Sequence, residues 1–211
     1  MASKAEAQPT VLVVDDDESM RVALTYLFRS MNLAVKTFGS AAEFLGLTLP
    51  DVASCLVLDI RLPGVNGLEF QDMLAKSGIR IPVIFMTGHG DIPMTVRAMK
   101  AGAVDFLPKP FRDQDMLDAV TKALAQDSEQ RAGVAATALL RQRYESLTPR
   151  QSEVFTLVTS GLMNKQIAGL LEVSEITVKI HRGEMTRRME ARSVADLVRM
   201  ADALGIRRPK P

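Results

Sequence analysis

Hydrophobic and polar positions divide the chain into a first part of alternating strands and helices and a second part of helices alone. In the first part, short apolar runs lie at 10–14, 33–38, 55–58, 82–86 and 103–107. Between these runs, apolar residues recur at the three- and four-residue spacing of amphipathic helices. Strands that alternate with helices at this distance predict a parallel sheet with helices on both faces.

Five such β/α units predict an α/β doubly wound, five-stranded parallel sheet of the flavodoxin-like order 2-1-3-4-5. The helices are expected at about 18–31, after a Ser40 cap, at 68–76 and at 91–100. In the helix at 91–100, Val96 and Met99 are expected to face the sheet.

A long helical pattern begins after Asp113 and continues through a polar stretch at 126–131. Only Gly133 argues against a helix there. We therefore predict a long connecting helix, which at 33 residues would span roughly 50 Å. The alternative is a final domain helix that ends near Ala125 and is followed by a disordered tether.

The second part predicts an all-α domain of four short helices. The first begins with a Thr148 cap and Pro149, a residue favoured at the first helical position. Asn164, Ser174 and Ser193 are expected to cap the other three, at 165–171, 175–190 and 194–204. The middle pair is joined by a tight turn, which is typical of a helix-turn-helix.

These patterns predict two domains and a linker. The first domain spans 8–126, the linker spans 127–145 as a continuation of the last helix, and the helical domain spans 146–208. Charge supports separate roles. Residues 1–127 carry 12 Lys and Arg against 16 Asp and Glu, whereas residues 128–211 carry 14 against 9. A basic second part favours an anionic partner such as nucleic acid.

The remaining composition indicates a cytoplasmic protein. The single cysteine, Cys55, lies in a predicted buried strand, so no disulfide framework is expected. No apolar run approaches the ~20 residues that cross a bilayer. The first eight residues have no apolar core, so we expect neither a signal peptide nor a membrane partner.

Polar side chains follow four predicted strands. Asp15 and Asp16 follow the first strand, Asp59 the third, Thr87 the fourth and Lys109 the fifth. The carboxyl ends of parallel strands share one edge, so these groups are expected to meet. Such carboxylates suit Mg²⁺ or Mn²⁺. A carboxylate there can act as a nucleophile toward a phosphoryl group. The alternative is that Asp15 and Asp16 belong to an acidic helix-capping turn, that Asp59 is a loop residue and that Lys109 is solvated.

Residues 10–125 resemble a response-regulator receiver domain. The resemblance is carried by four motifs: VVDD at 13–16, LDIRLPG-x-x-G at 58–67, MTGHG at 86–90 and KPF at 109–111. It implies that Asp59 is the phosphoacceptor, in a receiver that is at most a slow autophosphatase and otherwise no enzyme. It also implies a metal site of Asp16, of Asp15 acting mainly through water, of Asp59 and of the Arg61 backbone carbonyl.

The same resemblance implies three more roles. Thr87 is the switch hydroxyl, Lys109 is the phosphate-binding lysine, and Phe106 is the switch aromatic. Two residues depart from the family pattern. Phe106 has no hydroxyl, and Pro108 stands where the family usually has an apolar or acidic residue.

The helix at 175–190 has a composition suited to duplex DNA. Its basic residues can neutralise phosphates, and a helix N-terminus with Ser174 can bind one. A solvated basic face is the alternative. The segment 145–206 resembles the LuxR-type DNA-binding domain. This resemblance implies base contacts by Lys179 and Ile180 and phosphate contacts by Lys165, Thr177 and Arg182. Ser174 and Arg187 are expected to make further DNA contacts. Gly183 departs from the family, which often has a larger residue there.

Together the two parts are similar to the nitrogen-fixation-regulator branch of two-component response regulators. This resemblance implies a phosphorylation-controlled transcription regulator, an activator that receives its phosphoryl group from a sensor histidine kinase. It would then form a homodimer, bind promoter DNA and act on RNA polymerase. Two alternatives stay open: an Mg²⁺-dependent phosphohydrolase with Asp59 as nucleophile, and a constitutive DNA-binding protein with an idle pocket.

Overall fold

The structure is a computed structural model in which residues 8–88 and 92–206 are described. The chain forms two compact units, divided between Arg131 and Ala132. The first unit alternates strands and helices: β1 (Thr10–Val14), α1 (Glu18–Ser30), β2 (Ala34–Phe38), α2 (Ala41–Leu45), β3 (Ser54–Asp59), β4 (Arg61–Leu62), β5 (Val65–Asn66), α3 (Gly67–Lys76), β6 (Val83–Thr87), α4 (Ile92–Lys100), β7 (Asp105–Pro108) and α5 (Asp113–Glu145), which extends beyond the boundary.

Five of these strands form one sheet in the order β2-β1-β3-β6-β7, and every pair is parallel. The predicted doubly wound order 2-1-3-4-5 is therefore confirmed. The two-residue strands β4 and β5 form a separate antiparallel pair just after Asp59. The hydrophobic pattern did not predict this pair, in which Arg61 lies opposite Asn66.

The core of the first unit lies on both faces of the central strands. All residues of β1 and β3 are buried, because apolar side chains from both faces cover these strands. Leu24 and Phe28 of α1 cover one face, and Phe44 and Phe70 cover the other. Central strands buried on both faces read as continuous apolar runs, which is why they were readily predicted.

The prediction for α4 was wrong in its orientation. Val96 and Met99 are each 44% exposed, whereas Ala98 is fully buried and Met94 packs beside it in the core. The helix therefore buries a small residue and leaves two large apolar ones outside, a choice that hydrophobic spacing alone does not reveal. Asp91, the expected first residue of this helix, lies outside the described residues.

α5 is one continuous helix of 33 residues that passes through Gly133. Within the first unit, it is tied to the start of β3 by Asp127, which is buried. The Oδ2 atom of Asp127 accepts hydrogen bonds from the backbone N–H of Ser54 at 2.8 Å and from Nε of Arg131 at 2.7 Å. Arg131 also donates to Asp51 and to the carbonyl of Pro50. We call this set of contacts the Asp127 clamp.

The second unit contains the end of α5 and four further helices: α6 (Pro149–Thr159), α7 (Asn164–Leu171), α8 (Glu175–Arg188) and α9 (Val194–Leu204). This confirms the predicted helical domain. Thr148 caps α6 in a reciprocal capping box with Gln151. Ser174 and Ser193 accept the expected hydrogen bonds from backbone N–H groups. Gly205 ends α9 with φ of 67°, a conformation that favours glycine.

Two helix ends differ from the prediction. Asn164 is the first residue of α7 rather than its cap, and its Oδ1 accepts a hydrogen bond from Arg182. Because of this tertiary hydrogen bond, the Asn164 side chain does not cap the helix. α8 ends at Arg188, two residues before the predicted Glu190. Val178 and Met185 of α8 are fully buried.

Among the described residues, the helices are all too short or too polar to span a membrane.

Candidate functional site

The polar side chains predicted at the strand ends meet at one edge of the sheet. β1 lies beside β3, and their register pairs Val14 with Leu58. Asp15 therefore follows β1 next to Asp59, the last residue of β3. Thr87 ends β6, the next strand, and Lys109 follows β7 at the sheet edge. Parallel order alone brings the four strand ends together.

Lys109 joins two of these carboxylates. Its Nζ lies 2.7 Å from Oδ2 of Asp15 and 2.6 Å from Oδ2 of Asp59. Each carboxylate also uses its other oxygen, because Oδ1 of Asp15 accepts from the backbone N–H of Asp17 and Oδ1 of Asp59 accepts from that of Arg61. Asp15 and Asp59 are both buried. Their orientations are therefore fixed before any ligand arrives.

Burial and pairing act against each other in this cluster. Burial raises the pKa of Asp15, although the hydrogen bonds from Lys109 and from the Asp17 backbone oppose this rise. Burial also disfavours the charged form of Lys109. The hydrogen bonds to Asp15 and Asp59 outweigh that effect, so the pKa of Lys109 is raised. The lysine thus stays protonated and holds together two carboxylates that would otherwise repel each other.

The donor set of this cluster fits a hard divalent cation. Asp15, Asp16 and Asp59 each offer a carboxylate oxygen, and these three atoms lie within 4.8 Å of one another. Oxygen ligands that leave room for water are what Mg²⁺ requires. Asp16 is exposed, and the Arg61 side chain points to solvent as well. The cluster is therefore open on the side from which a hydrated ion or a phosphoryl group would approach.

Sequence reasoning missed Arg21 as part of this site. Its Nη1 donates to the backbone carbonyl of Asp15 at 2.8 Å and to that of Asp16 at 2.9 Å. The guanidinium therefore pins the loop that carries both carboxylates. Arg21 lies one helical turn into α1, after the acidic run, and this spacing was the available signal.

Gly67 is the last residue of the LDIRLPG-x-x-G motif, and its physical role appears only in the structure. A Cβ at this position would lie 2.7 Å from the backbone oxygen of Asp59 and 2.8 Å from Cα of Ile60. Its N–H donates to the Ile60 carbonyl. The chain after Asp59 therefore packs backbone against backbone, and no other residue fits.

The remaining predicted residues of this edge occupy the expected strands. Thr87 is fully buried. Phe106 lies in β7, half-buried against the core beneath α4. Pro108 occupies the edge strand, where a missing N–H is tolerated. The backbone N–H of Lys109 donates to the Thr87 carbonyl at 2.6 Å.

His89 and Gly90, the end of the MTGHG motif, lie outside the described residues.

The second unit presents the predicted DNA-contacting residues in two groups. Lys165, Lys179, Ile180 and Arg187 are exposed. The others already have partners within the unit. Ser174 caps α8 and its hydroxyl lies 2.9 Å from that of Thr177, while Arg182 donates to Asn164. Gly183 is exposed in mid-helix, where glycine costs about 1 kcal/mol relative to alanine.

Comparison with known proteins gives a family for each part of the chain. Residues 11–121 match the response regulator receiver domain, and residues 145–201 match the LuxR family of bacterial regulatory proteins. The chain therefore belongs to the response regulators that join a receiver domain to a LuxR-type DNA-binding domain.

Particular relatives share nearly the whole chain. Nodulation protein W of Bradyrhizobium diazoefficiens is 57% identical over 204 residues, covering 97% of this chain and 90% of that protein. Response regulator protein TodT of Pseudomonas putida F1 is 44% identical, covering 92% and 86%. A solved structure of the response regulator StyR matches with a TM-score of 0.82 and 48% identity, covering 93% of this chain and 99% of that one.

Proposed function

We propose that this response regulator accepts a phosphoryl group on Asp59 and thereby controls transcription. The observation that carries the proposal is the placement of Lys109, whose Nζ binds Asp15 and Asp59 at the ends of adjacent strands. A buried carboxylate held beside an ammonium and two further carboxylates is suited to phosphoryl transfer, in which positioning and charge stabilisation dominate catalysis.

Asp15, Asp16 and Asp59, together with the backbone carbonyl of Arg61, would hold Mg²⁺. The ion would neutralise charge on the incoming phosphoryl group. A carboxylate oxygen of Asp59 attacks phosphorus, and the P–N bond of a phosphohistidine in a sensor kinase breaks. The leaving imidazole nitrogen keeps the electron pair of that bond. Lys109, already at 2.6 Å from Asp59, can pass to a phosphoryl oxygen without large movement.

Thr87 would bind another phosphoryl oxygen, because it ends the strand next to β3. Phe106 would respond through packing alone, since it carries no hydroxyl. The exposed Val96 and Met99 on α4 supply an apolar surface for the homodimer that forms after phosphorylation. We propose domain limits of 8–126 and 146–208, with the linker at 127–145.

A phosphohydrolase is less well supported. An enzyme of that kind using an aspartate nucleophile needs a nearby acid/base, and the residue two positions after Asp59 is Arg61, whose guanidinium is not a general acid/base. Its side chain is also exposed.

The phosphoacceptor is tested by labelling the full-length protein with acetyl phosphate and Mg²⁺. Asp59→Asn should abolish labelling, because the amide is a poor nucleophile. Asp72→Asn, on the exposed side of α3, is the matched control and should label normally. Label retained in Asp59→Asn would contradict the proposal, as would loss of label in Asp72→Asn.

The DNA contacts are tested by salt dependence. Basic side chains and two hydroxyls at the start of α8 would bind phosphates or bases, and Ile180 would lie against the bases. The basic residues are Lys165, Lys179, Arg182 and Arg187, and the hydroxyls are those of Ser174 and Thr177. Replacing one phosphate-binding lysine should lower the slope of log K against log salt by about one. We expect this for Lys165→Ala on duplex DNA. Lys36→Ala, in β2 of the first unit, should leave the slope unchanged. Equal slopes for both variants would refute the assignment.

A further inference from the structure

The exposed face of α8 is unusual because its centre is apolar. Ile176 is 73% exposed and Ile180 is 56% exposed. Gly183 follows at helical spacing on the same face and is also exposed. We call Ile176, Ile180 and Gly183 the apolar stripe of α8.

No contact in the described part of the second unit, which ends at residue 206, explains the stripe. α8 packs on the core through its opposite side, with Val178 and Met185 fully buried. A Cβ at Gly183 would meet no atom within 4 Å, so the fold does not require glycine there. The glycine lowers helix propensity without improving the packing of this chain. The stripe is therefore available to a binding partner outside the unit.

Charge around the stripe identifies the partner. Lys179 and Arg187 are exposed on the same face and favour a polyanion. Duplex DNA is such a partner, but its backbone and most of its base-edge atoms are polar. The apolar group in the major groove is the C5 methyl of thymine. An exposed isoleucine on a helix in that groove gains most from contact with this methyl.

From these observations, we infer that Ile176 and Ile180 read thymine methyl groups and that Gly183 lets the helix backbone approach the base edges closely. This inference rests on the proposed DNA-binding role and adds the feature that the site would select. Ile176 and Gly183 become specificity-determining residues, and thymine is expected at fixed positions in each half-site.

The test uses the full-length protein activated with beryllofluoride and Mg²⁺. A binding duplex is selected from a random library, and each thymine is then replaced by deoxyuridine, which removes only the methyl group. For the unmodified protein, affinity should fall about fourfold at each contacted thymine. In Ile176→Ser, overall affinity should fall, and one of these thymines should lose its sensitivity to the replacement.

Two matched controls accompany the test. Val194→Ser removes an exposed apolar side chain on α9 and should keep every thymine effect. Gly183→Ala should weaken DNA binding about tenfold by crowding the base edges. Gly133→Ala, another mid-helix glycine with open space around it, should leave binding unchanged. Thermal unfolding of each variant checks that the second unit stays folded.

Three results would overturn the inference, and they are distinguishable. If Ile176→Ser keeps the full sensitivity to deoxyuridine, the methyl contact is wrong while DNA binding stands. If Ile176→Ser leaves activated binding unchanged but strengthens binding before activation, the stripe is a protein contact. If no duplex is enriched by the unmodified protein, the proposed DNA-binding role fails and the inference falls with it.

Discussion

Replacing Asp127 with alanine should loosen the first unit, because Asp127 is the buried centre of the clamp. The Asp127 side chain is 4% exposed, and Ser54, whose N–H it accepts, is 1% exposed. Asp127→Ala leaves that N–H buried without its acceptor, which costs about 1–3 kcal/mol. Arg131 is about one-third exposed and keeps Asp51, so its lost pairing adds only on the order of 1 kcal/mol. We expect a total of about 2–4 kcal/mol.

The chain contains its own probe for this loss. Cys55 is the single cysteine, follows Ser54 directly and is fully buried. Burial raises the pKa of its thiol, so it is unreactive until the structure opens. When opening is fast relative to labelling, the labelling rate follows the open population. A loss of 2–4 kcal/mol should accelerate modification of Cys55 by a thiol reagent roughly 30- to 700-fold.

Two variants show whether the clamp is the cause. Asp127→Asn keeps an acceptor for Ser54 and should accelerate labelling only about fivefold, equivalent to about 1 kcal/mol. Asp51→Ala removes a fully exposed carboxylate and should change the rate less than threefold. If Asp127→Ala labels within threefold of the unmodified protein, or no faster than Asp51→Ala, the clamp does not stabilise the first unit.

Three further predictions concern the cluster formed by Asp15, Asp16, Asp59 and Lys109. Lys109→Gln should slow phosphorylation by acetyl phosphate about 100-fold, because a preorganised donor to the phosphoryl oxygens is lost; a rate within threefold of normal in a time course would contradict its role. Arg21→Ala should weaken Mg²⁺ binding about tenfold in calorimetry, because the loop of Asp15 and Asp16 is no longer pinned; Arg29→Ala, at the other end of α1, should have no effect, and an equal loss would refute the argument. The third follows from the raised pKa of Asp15. Mg²⁺ needs the ionised carboxylate, so on acidification the Mg²⁺ affinity should start to fall at a pH above the ordinary aspartate value of about 3.9; an affinity that stays constant down to that value would show that Asp15 is not a ligand.

The sheet and the cluster at its edge could be predicted because both depend on local pattern. Continuous apolar runs such as 11–14 and 55–58 become fully buried strands, and parallel order brings their polar ends together. Helix caps such as Thr148 and Ser174 were also predictable, since a cap and its partner lie three residues apart.

Contacts between distant residues could not be read in the same way. Asp127 stands in a polar stretch that reads as solvent-exposed helix, yet it is bonded to Ser54, 73 positions away. Asn164 is a residue type that often caps helices, but its side chain instead accepts a hydrogen bond from Arg182. The prediction of the inner face of α4 was wrong because Ala98 is less hydrophobic than Val96 and Met99 and so contributes less to the pattern. In each case the deciding partner is on another element.

The close packing at Gly67 makes one backbone group a natural reporter. Its N–H donates to the Ile60 carbonyl at 2.8 Å, and a Cβ at this position would lie 2.7 Å from the Asp59 carbonyl oxygen. No side chain separates these two backbone segments. A change in the bonding of Asp59 should therefore alter the surroundings of Gly67, the first residue of α3. In a nitrogen-15 spectrum, the Gly67 amide resonance would therefore register the chemical state of the neighbouring carboxylate without any attached label.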